Sequence, residues 1–373
     1  MTTLIMATGD LVLEDPQSGE LLDAAAPTLQ QADLVIGQLE VPHSDAQQVM
    51  TSDVPATPAP PETLDAVAHA GFHVMTLAGN HVFDLGGRGI ADTRAHCLKR
   101  GLTPIGAGQD LEEAWEPAVI DAGQRQIKVL SVNCVGPKES WAGTAKPGCA
   151  AVNVITHYEP RGANPGGPPA IYTFAEPRSL AEFRRRIAAH RSAGVDVIVA
   201  LHKGLVHQPA DIADYEYEIA RAAIDEGAVA VISHHAHILK GVEVYRGRPI
   251  FHGLGNFVTV TSALSDTASN SVEQRRWARE RQRLFGFTPD PTMPNYPFHP
   301  ESRYTAIAVL ALHDNGTLDA GLIPCWIADD ARPIPQTQGG KALEIVDYIC
   351  GITRDAGLTT DFSWTNNQLK INL

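Results

Sequence analysis

The chain has 373 residues, of which 44% are hydrophobic and 19% charged, a composition typical of a soluble globular protein. A formal net charge of −14 argues against nucleic acid or an anionic membrane as partner, because both require a basic surface. The N-terminus is too polar for a signal peptide and no run approaches the ~20 apolar residues that cross a bilayer, so we expect a cytoplasmic protein.

Short apolar runs alternate with helical segments along the chain, and this pattern predicts an α/β sheet protein. The predicted strands are Thr3–Thr8, Ala32–Gln38, Phe72–Leu77, Gln126–Val132, Asp196–Leu201 and Ala228–Ile232, followed by a hairpin over Val242–Tyr245 and Pro249–His252. The predicted helices are Pro61–Ala70, Ile90–Lys99, Leu180–Ala193 and Ile212–Glu226.

The domain prediction places residues 1–330 in one catalytic domain and residues 331–373 in a C-terminal helix and polar tail that pack on it or extend from it. Glu159–Pro169 is rich in Gly and Pro and predicts a surface loop. Residues 262–302 form a long, polar insert with several aromatic residues. Such inserts are usually lids, substrate-binding elements or mobile surface loops, and we expect a lid or a substrate-binding element here.

The run Ser233-His234-His235-Ala236-His237 directly follows the apolar strand Ala228–Ile232. Positions 235 and 237 are two residues apart, so their imidazoles would project to the same side of the strand end and could bind one metal ion. The carboxyl ends of strands are also where α/β folds place their ligands. This run therefore indicates a metal site.

Other polar side chains also follow predicted strands, namely Asp10, Glu40, Asn80 with His81, and His202. Taken singly, each has a structural explanation, since a Gly-Asp after a strand is most often a turn. Together they predict a divalent metal site of one or two ions, because strand ends converge at one edge of a sheet. Carboxylate and amide oxygens with imidazoles suit calcium, manganese or magnesium. Asp84 is placed to hydrogen-bond His81 and to hold it in one tautomer.

The order of these motifs resembles the calcineurin-like metallophosphoesterase fold, and more narrowly its capsule-biosynthesis branch (CapA-type, poly-γ-glutamate synthesis). The resemblance covers about residues 1–260 and is carried by Gly9-Asp10, Gln38-Leu39-Glu40, the run from Ala78 to Gly86, and the run from His234 to Phe257. It implies a four-layer αββα sandwich with two facing mixed sheets and a metal at the sheet edges.

By position, the resemblance implies metal ligation by Asp10, Glu40, Asn80, His202, His235 and His237, and a near-metal acid/base role for His81. The chain departs from the pattern at two places. In Asp10-Leu11-Val12, Val12 stands where ordinary metallophosphoesterases have the histidine of Asp-x-His, and Val206 stands where the branch has a glutamate. Members of the branch that are anchored in the membrane also carry an N-terminal hydrophobic segment, which this sequence lacks.

One ion with several neighbouring histidines suits proton transfer at least as well as phosphoryl displacement. Two His/Asp pairs could serve as catalytic acid and base on opposite faces of a substrate: His81 with Asp84, and Asp10 with His235 and His237. Proteins similar to this branch include epimerases that tailor ribosomally made peptides such as lasso-peptide precursors. The favoured hypothesis is therefore metal-dependent epimerisation at a peptide Cα.

Two alternatives remain open: a phosphoesterase or amide hydrolase that uses metal-activated water, and a CapA-like accessory protein that binds polyglutamate. The expected partner is a peptide or other small substrate. The candidate substrate-binding residues are Lys203, His207, Arg275, Trp277 and His299. The sequence does not indicate an oligomeric state.

Overall fold

A computed structural model describes residues 2–50, 54, 56–122, 125–160, 162, 166–192 and 194–373. The α-helices in these ranges are α1 (Ala26–Leu29), α2 (Thr63–His69), α3 (Gly86–Lys99), α4 (Leu111–Trp115), α5 (Pro177–His190), α6 (Asp214–Asp225), α7 (Val272–Phe285) and α8 (Gly339–Asp355). The strands in the first half of the chain are β1 (Thr2–Leu13), β2 (Leu34–Leu39), β3 (Val74–Thr76), β4 (Thr103–Ile105), β5 (Ala107–Gly108), β6 (Ala118–Ala122), β7 (Arg125–Asn133), β8 (Gly148–Cys149), β9 (Val154–Glu159) and β10 (Ala170–Ala175).

The strands in the second half are β11 (Val195–Lys203), β12 (Ala228–His235), β13 (Val242–Tyr245), β14 (Arg248–Phe251), β15 (Asn256–Val260), β16 (Tyr304–His313), β17 (Leu318–Ile327), β18 (Pro333–Pro335), β19 (Phe362–Thr365) and β20 (Gln368–Ile371). Most of the strands form two large mixed sheets. The first has the order β19-β20-β17-β16-β1-β2-β3-β4, with β15 beside β1 and β18 beside β17. The second has the order β13-β14-β12-β11-β7-β6.

Three apolar clusters show how the layers stack. Between the two sheets lie side chains from both, such as Ile5 and Ile36 from the first and Ile198 and Ile232 from the second. The other face of the first sheet packs against α2 and α3, and the other face of the second packs against α5 and α6. The fold is therefore a four-layer αββα sandwich, which confirms the predicted α/β class and its two facing mixed sheets.

Strand β1 is longer than predicted and carries Asp10 inside it rather than beyond its end. Residues 2–7 pair antiparallel with β16, and residues 10–13 pair parallel with β15. The register with β2 shifts between Ala7 and Asp10, so the strand bulges where it exchanges partners. Gly9 is required at this point, because a Cβ there would lie 2.0 Å from the carbonyl oxygen of Gly255.

The predicted C-terminal helix is α8, and the polar tail that follows it forms a β-hairpin of β19 and β20, which the sequence analysis did not predict. Asn366 and Asn367 both have positive φ, 52° and 62°, as a two-residue hairpin turn requires. Leu369 and Ile371 alternate with exposed polar residues and face the core. Because β18 and β20 pair with β17 and β19 pairs with β20, these three strands extend the first sheet.

The remaining predicted segments differ from the structure mainly at their boundaries. The predicted helix Leu180–Ala193 corresponds to α5, which begins at Pro177 and ends at His190, while Ala193 lies outside the described residues. The predicted loop Glu159–Pro169 joins the paired strands β9 and β10, and its residues 161 and 163–165 are likewise outside them. The insert 262–302 contains α7 and a short 3₁₀ helix that begins at Pro300. None of the described helices combines the length and the apolar character required to cross a bilayer.

We expect the protein to lose stability in mild acid because it buries neutral histidines. Burial lowers the pKa of His43 to about 3, and burial together with the charge of Lys203 lowers that of His252 to about 4. Below pH 6.5, the ordinary pKa of histidine, these two histidines become protonated in the unfolded chain. In the folded chain they stay neutral until the pH reaches 4 or lower. Stability is thus present above pH 6.5 and is lost as pH falls towards 4.

Unfolding in urea at a series of pH values measures this loss, and His43→Leu should flatten the slope because it removes one titrating group. A free energy of unfolding that stays constant over this range, or an unchanged slope in the variant, would contradict the explanation.

Candidate metal centre

The two sheets meet at an edge where Asp10 and Glu40 face the histidines that follow β11 and β12. The backbone N–H of His235 donates to Oδ2 of Asp10 at 3.1 Å and so ties the second sheet to the first. Glu40 directly follows β2, which lies parallel to β1. His202 and His235 lie at the ends of the neighbouring parallel strands β11 and β12. The fold therefore brings the strand-end residues together as their placement in the sequence predicts.

Two overlapping groups of side chains have the spacing of a cation site. Glu40, His202 and His235 form one, and Asp10, Glu40 and His237 form the other, with the ligand atoms of each group within 4.8 Å of one another. Glu40 belongs to both groups. This arrangement suits one ion, or two ions that share the Glu40 carboxylate.

Several buried polar atoms in this cluster have no hydrogen-bond partner among the described residues: Oδ1 of Asp10, Oε2 of Glu40, and Nδ1 of His202 and His235. An unpartnered buried polar group ordinarily costs about 1–3 kcal/mol, and more when it is charged. Such groups are therefore rare unless a ligand satisfies them. Oxygen and imidazole donors with unused lone pairs fit a divalent cation.

Both His202 and His235 are electrically neutral in this setting. Burial is the main cause, and neighbouring histidines add to it: the pKa of His235 falls to about 3, and that of His202 lies well below its ordinary value. A neutral imidazole has the lone pair that metal coordination requires. These two side chains are therefore already in the protonation state of ligands.

His237 and the two carboxylates form a tightly coupled set. Burial lowers the pKa of His237, but the nearby charges of Glu40 and Asp10 outweigh it, and the pKa rises above its ordinary value. Its Nε2 lies 3.2 Å from Oε1 of Glu40, and its Nδ1 lies 2.8 Å from Oδ1 of Asn256. Burial and the charge of Glu40 raise the pKa of Asp10 well above its usual range. The acids need positive charge beside them, and an ion could supply it in place of a protonated His237.

The backbone around the site is held in an unusual conformation. His235 and His237 have positive φ, 85° and 53°, a region that costs a non-glycine residue about 1–2 kcal/mol. Strain of this kind clusters at functional sites, where the surrounding structure holds it in place. The intervening Ala236 is fully buried, whereas the imidazoles on either side turn towards the carboxylates.

His81 and Asn80 complete this edge of the site. Nδ1 of His81 lies 2.7 Å from Oδ2 of Asp84, as the spacing of the two residues predicts. Oδ1 of Asn80 lies 2.9 Å from Nε2 of His202. His234 turns away from the cluster, with its Nε2 3.0 Å from the carbonyl oxygen of Thr8.

An apolar cavity opens beside the cluster and includes Glu40, Asn80, His81, His235 and His237 in its lining. Its other walls come from α7, the loop after β11 and residues near Val41. Trp277, one of the predicted substrate-binding residues, lines it together with Leu284 and Phe285 of the same helix. The insert thus covers the candidate metal centre.

Lys203 does not have the position expected of a substrate-binding residue. Its ammonium is fully buried, 3.0 Å from Oε2 of Glu216 and 3.1 Å from Nδ1 of His252. Successive residues of a strand point to opposite faces, so a His202 that faces the metal cluster directs Lys203 away from it. The prediction that Lys203 contacts substrate is therefore wrong.

His207, His299 and Arg275 do not line the cavity either. His207 is buried behind it, where its ring packs against Phe285, Phe287 and Phe298. His299 begins a short 3₁₀ helix and accepts a hydrogen bond from the N–H of Glu301 at 3.1 Å. Arg275 lies in the first turn of α7, two residues before Trp277 but outside the cavity lining. His207 and His299 thus belong to the packing of the insert, and Arg275 lies outside the cavity lining.

Sequence reasoning missed three residues of this region. Asn256 stands opposite Asp10 in the pairing of β15 with β1 and orients His237, and its Nδ2 donates to the Tyr296 hydroxyl at 3.0 Å. In the sequence, Asn256 stands out only as part of the run from His234 to Phe257, which carries the resemblance to the capsule-biosynthesis branch. Arg281 of α7 lines the cavity and is 7% exposed. No motif distinguished Tyr296 or Arg281 from other residues of the polar insert.

The fold and the cluster define an αββα sandwich with a candidate divalent metal centre at the sheet edge. Residues 4–261 match the family model described as bacterial capsule synthesis protein PGA_cap. The chain therefore belongs to this family, as the resemblance indicated.

Curated relatives carry names in keeping with the family. A probable polyglutamine synthesis accessory protein of Mycobacterium tuberculosis is 30% identical over 208 residues, or 53% of this chain and 48% of that protein. The capsule biosynthesis protein CapA of Bacillus anthracis is 26% identical over 352 residues, or 93% of this chain and 70% of that protein. The chain thus spans about half the length of the mycobacterial relative.

A putative 5'-nucleotidase from Staphylococcus aureus, solved in complex with alpha-ketoglutarate, superposes with a TM-score of 0.42 at 10% identity. The superposition covers 96% of this chain and 58% of the nucleotidase. So remote a similarity carries no functional inference.

We expect Glu40→Gln to weaken Mn²⁺ binding by more than the ~10–100-fold that loss of an outer-shell partner costs, because Glu40 belongs to both ligand groups. Isothermal titration of metal-free protein measures the affinity. Asp65→Asn is the matched control, since Asp65 is an exposed acid that pairs with Arg100 on the surface. Equal affinities in the wild type and the Glu40 variant would remove this carboxylate from the site.

Proposed function

We propose that this chain is a divalent-metal-dependent amide hydrolase that serves the synthesis of a glutamate polymer. The observation that carries the proposal is the convergence of unpartnered carboxylate oxygens and imidazole nitrogens beside a cavity. Membership of the capsule synthesis family supports the polymer as the substrate class, and so does the naming of relatives for capsule or polyglutamine synthesis.

A divalent ion held by Asp10, Glu40, His202, His235 and His237, with Asn80 beside them, would supply Lewis-acid chemistry and neutralise negative charge. The ligand set mixes carboxylates with neutral imidazoles, which suits manganese as well as harder ions. The net charge of −14 would repel a polyanion, and a bound cation would offset that repulsion at the site.

His81 is suited to move a proton at the rim of this centre. Asp84 accepts at the Nδ1 side at 2.7 Å, which fixes the tautomer and leaves the lone pair on Nε2. His81 lines the cavity, so its ring would contact a substrate or water molecule bound beside the ion. It would take a proton from attacking water or return one to the leaving amine.

Epimerisation at a peptide Cα, which the sequence analysis favoured, gains no support from the names of these relatives. One observation nevertheless keeps it as a second candidate. Besides His81 with Asp84, Nδ1 of His237 lies 3.9 Å from Oδ2 of Asp10, so two His/Asp pairs adjoin one cavity. Such a pair on each side of a substrate is what a two-base epimerase needs.

The proposal is tested by incubating Mn²⁺-loaded protein with poly-γ-glutamate of defined length in heavy water. New amino ends with the stereochemistry unchanged are expected from hydrolysis. Deuterium at Cα without new ends would overturn hydrolysis in favour of epimerisation. Neither change in protein shown to hold metal would overturn the proposed activity itself.

His81→Ala should lower the rate of cleavage by about 10²–10⁴-fold while metal content stays the same, because the proton-transfer group is lost and the ion ligands remain. His157→Ala, on an exposed strand of the β9–β10 hairpin, is the matched control. Chain ends are counted by amine labelling and metal by elemental analysis. A cleavage rate unaffected by loss of the His81 imidazole would exclude it from the reaction.

A further inference from the structure

Arg281 is a buried cation that none of the roles described so far uses. The residue is 7% exposed and lines the cavity beside the metal cluster. One terminal nitrogen donates to the carbonyl oxygen of Pro297 at 3.2 Å, and the other lies 3.1 Å from Nε2 of His207. The same guanidinium lies 5.9 Å from the ring centre of Phe298. These contacts fix its position but leave its charge unbalanced.

Within the described part of the chain, no carboxylate lies at ion-pair distance from Arg281. Other arginines of the same helix and its surroundings do have acidic partners: Arg279 pairs with Asp266, and Arg303 with Asp329. Burial alone accounts for the lowered pKa of Arg281, about 10, and no acidic side chain pairs with it to raise the pKa again. A buried charge without a counter-ion is costly, and proteins seldom keep one unless a ligand completes it.

The surroundings of Arg281 limit what that ligand can be. Trp277, Leu284 and Phe285 line the same cavity and present apolar surface. Its charged members, apart from the histidines, are Arg281 and the acids Glu14 and Glu40. One cation balances one negative charge, and in metal-free protein the two acids would repel a dianion more strongly than a monoanion. The site therefore suits a single carboxylate attached to an apolar group, a combination that one unit of a γ-linked glutamate polymer offers with its α-carboxylate and two methylenes.

We propose that Arg281 is the anion-binding residue of the substrate site, and that it receives a substrate carboxylate while an apolar neighbour of that carboxylate packs on Trp277 and Phe285. This deepens the proposed function, on which it rests for the nature of the reacting bond. It assigns a specificity-determining role to the insert and explains why α7 covers the metal centre.

The test compares three probes of one shape: hydrocinnamate, its neutral amide hydrocinnamamide, and the dianion phenethylphosphonate. Each is titrated calorimetrically into protein stripped of metal with EDTA and again into Mn²⁺-loaded protein. In the stripped wild type, hydrocinnamate should bind about tenfold or more tighter than the amide, because its hydrogen bonds to Arg281 are charge-assisted. It should also bind tighter than the phosphonate.

Arg281→Met should abolish the preference for the carboxylate over the amide, whereas Arg283→Met should keep it. Arg283 is the matched control because it lies on the same helix, is exposed and has only a loose contact of 3.6 Å with Glu280. Circular dichroism and retained Mn²⁺ affinity show that each variant is folded. If the methionine variant fails to fold, the comparison of probes in the wild type still decides the question.

Equal affinity for carboxylate and amide in the stripped wild type, or a preference that survives Arg281→Met in folded protein, would overturn the anion site. Tighter binding of the phosphonate than of hydrocinnamate to the stripped wild type would also overturn the anion site, and so would a failure of all three probes to bind. A carboxylate preference that depends on Arg281 in a protein that binds no metal would support this site and refute the proposed metal-dependent function. The two proposals can therefore fail separately.

Discussion

The structure depends on two acids buried side by side. Asp10 is fully buried and Glu40 is 2% exposed, and in water-excluded surroundings adjacent carboxylates repel each other strongly. Burial and, after it, repulsion by Glu40 raise the pKa of Asp10, whereas the attraction of His237 outweighs burial and lowers the pKa of Glu40 to about 2. The protein keeps both acids where apolar side chains would pack at lower cost, and a bound cation gives them a physical reason to be there.

Several features of the fold hold these acids against the second sheet. β1 changes partner at Gly9-Asp10, and the resulting bulge turns the Asp10 carboxylate towards the N–H of His235. Behind the histidines, Glu216 accepts from both Lys203 and Lys240, and so ties the end of β11 to the loop after β12. This buried ion network holds together the end of β11, which carries His202, and the loop after β12, which carries His237. The strained backbone at His235 and His237 persists because the segments on either side are held in this way.

Much of this could be predicted from the sequence, because the relevant signals are local. Parallel strands bring their carboxyl ends to one edge, so polar residues after apolar runs could be placed together before their contacts were known. Strand alternation also predicts that Lys203 points away from the side of the sheet edge that His202 faces, so its burial is consistent with a local signal. The partners of Arg281 lie far apart in the chain at His207 and Pro297, and no periodicity links them. The hairpin around the Asn366-Asn367 turn could not be predicted from the sequence either, because it depends on the pairing of this segment with the first sheet.

One departure from the family pattern, the valine at position 206, affects the charge balance of the cavity. Val206, where the resemblance places a glutamate, lines the same cavity as Arg281. A carboxylate at that position would bring a third acid into a lining that already holds Glu14 and Glu40, and it would compete with a substrate for the only guanidinium the described lining contains. With valine there, the wall is apolar and the charge of Arg281 is left for a ligand. Loss of one acid and burial of one arginine therefore act in the same direction, towards a substrate that brings its own carboxylate.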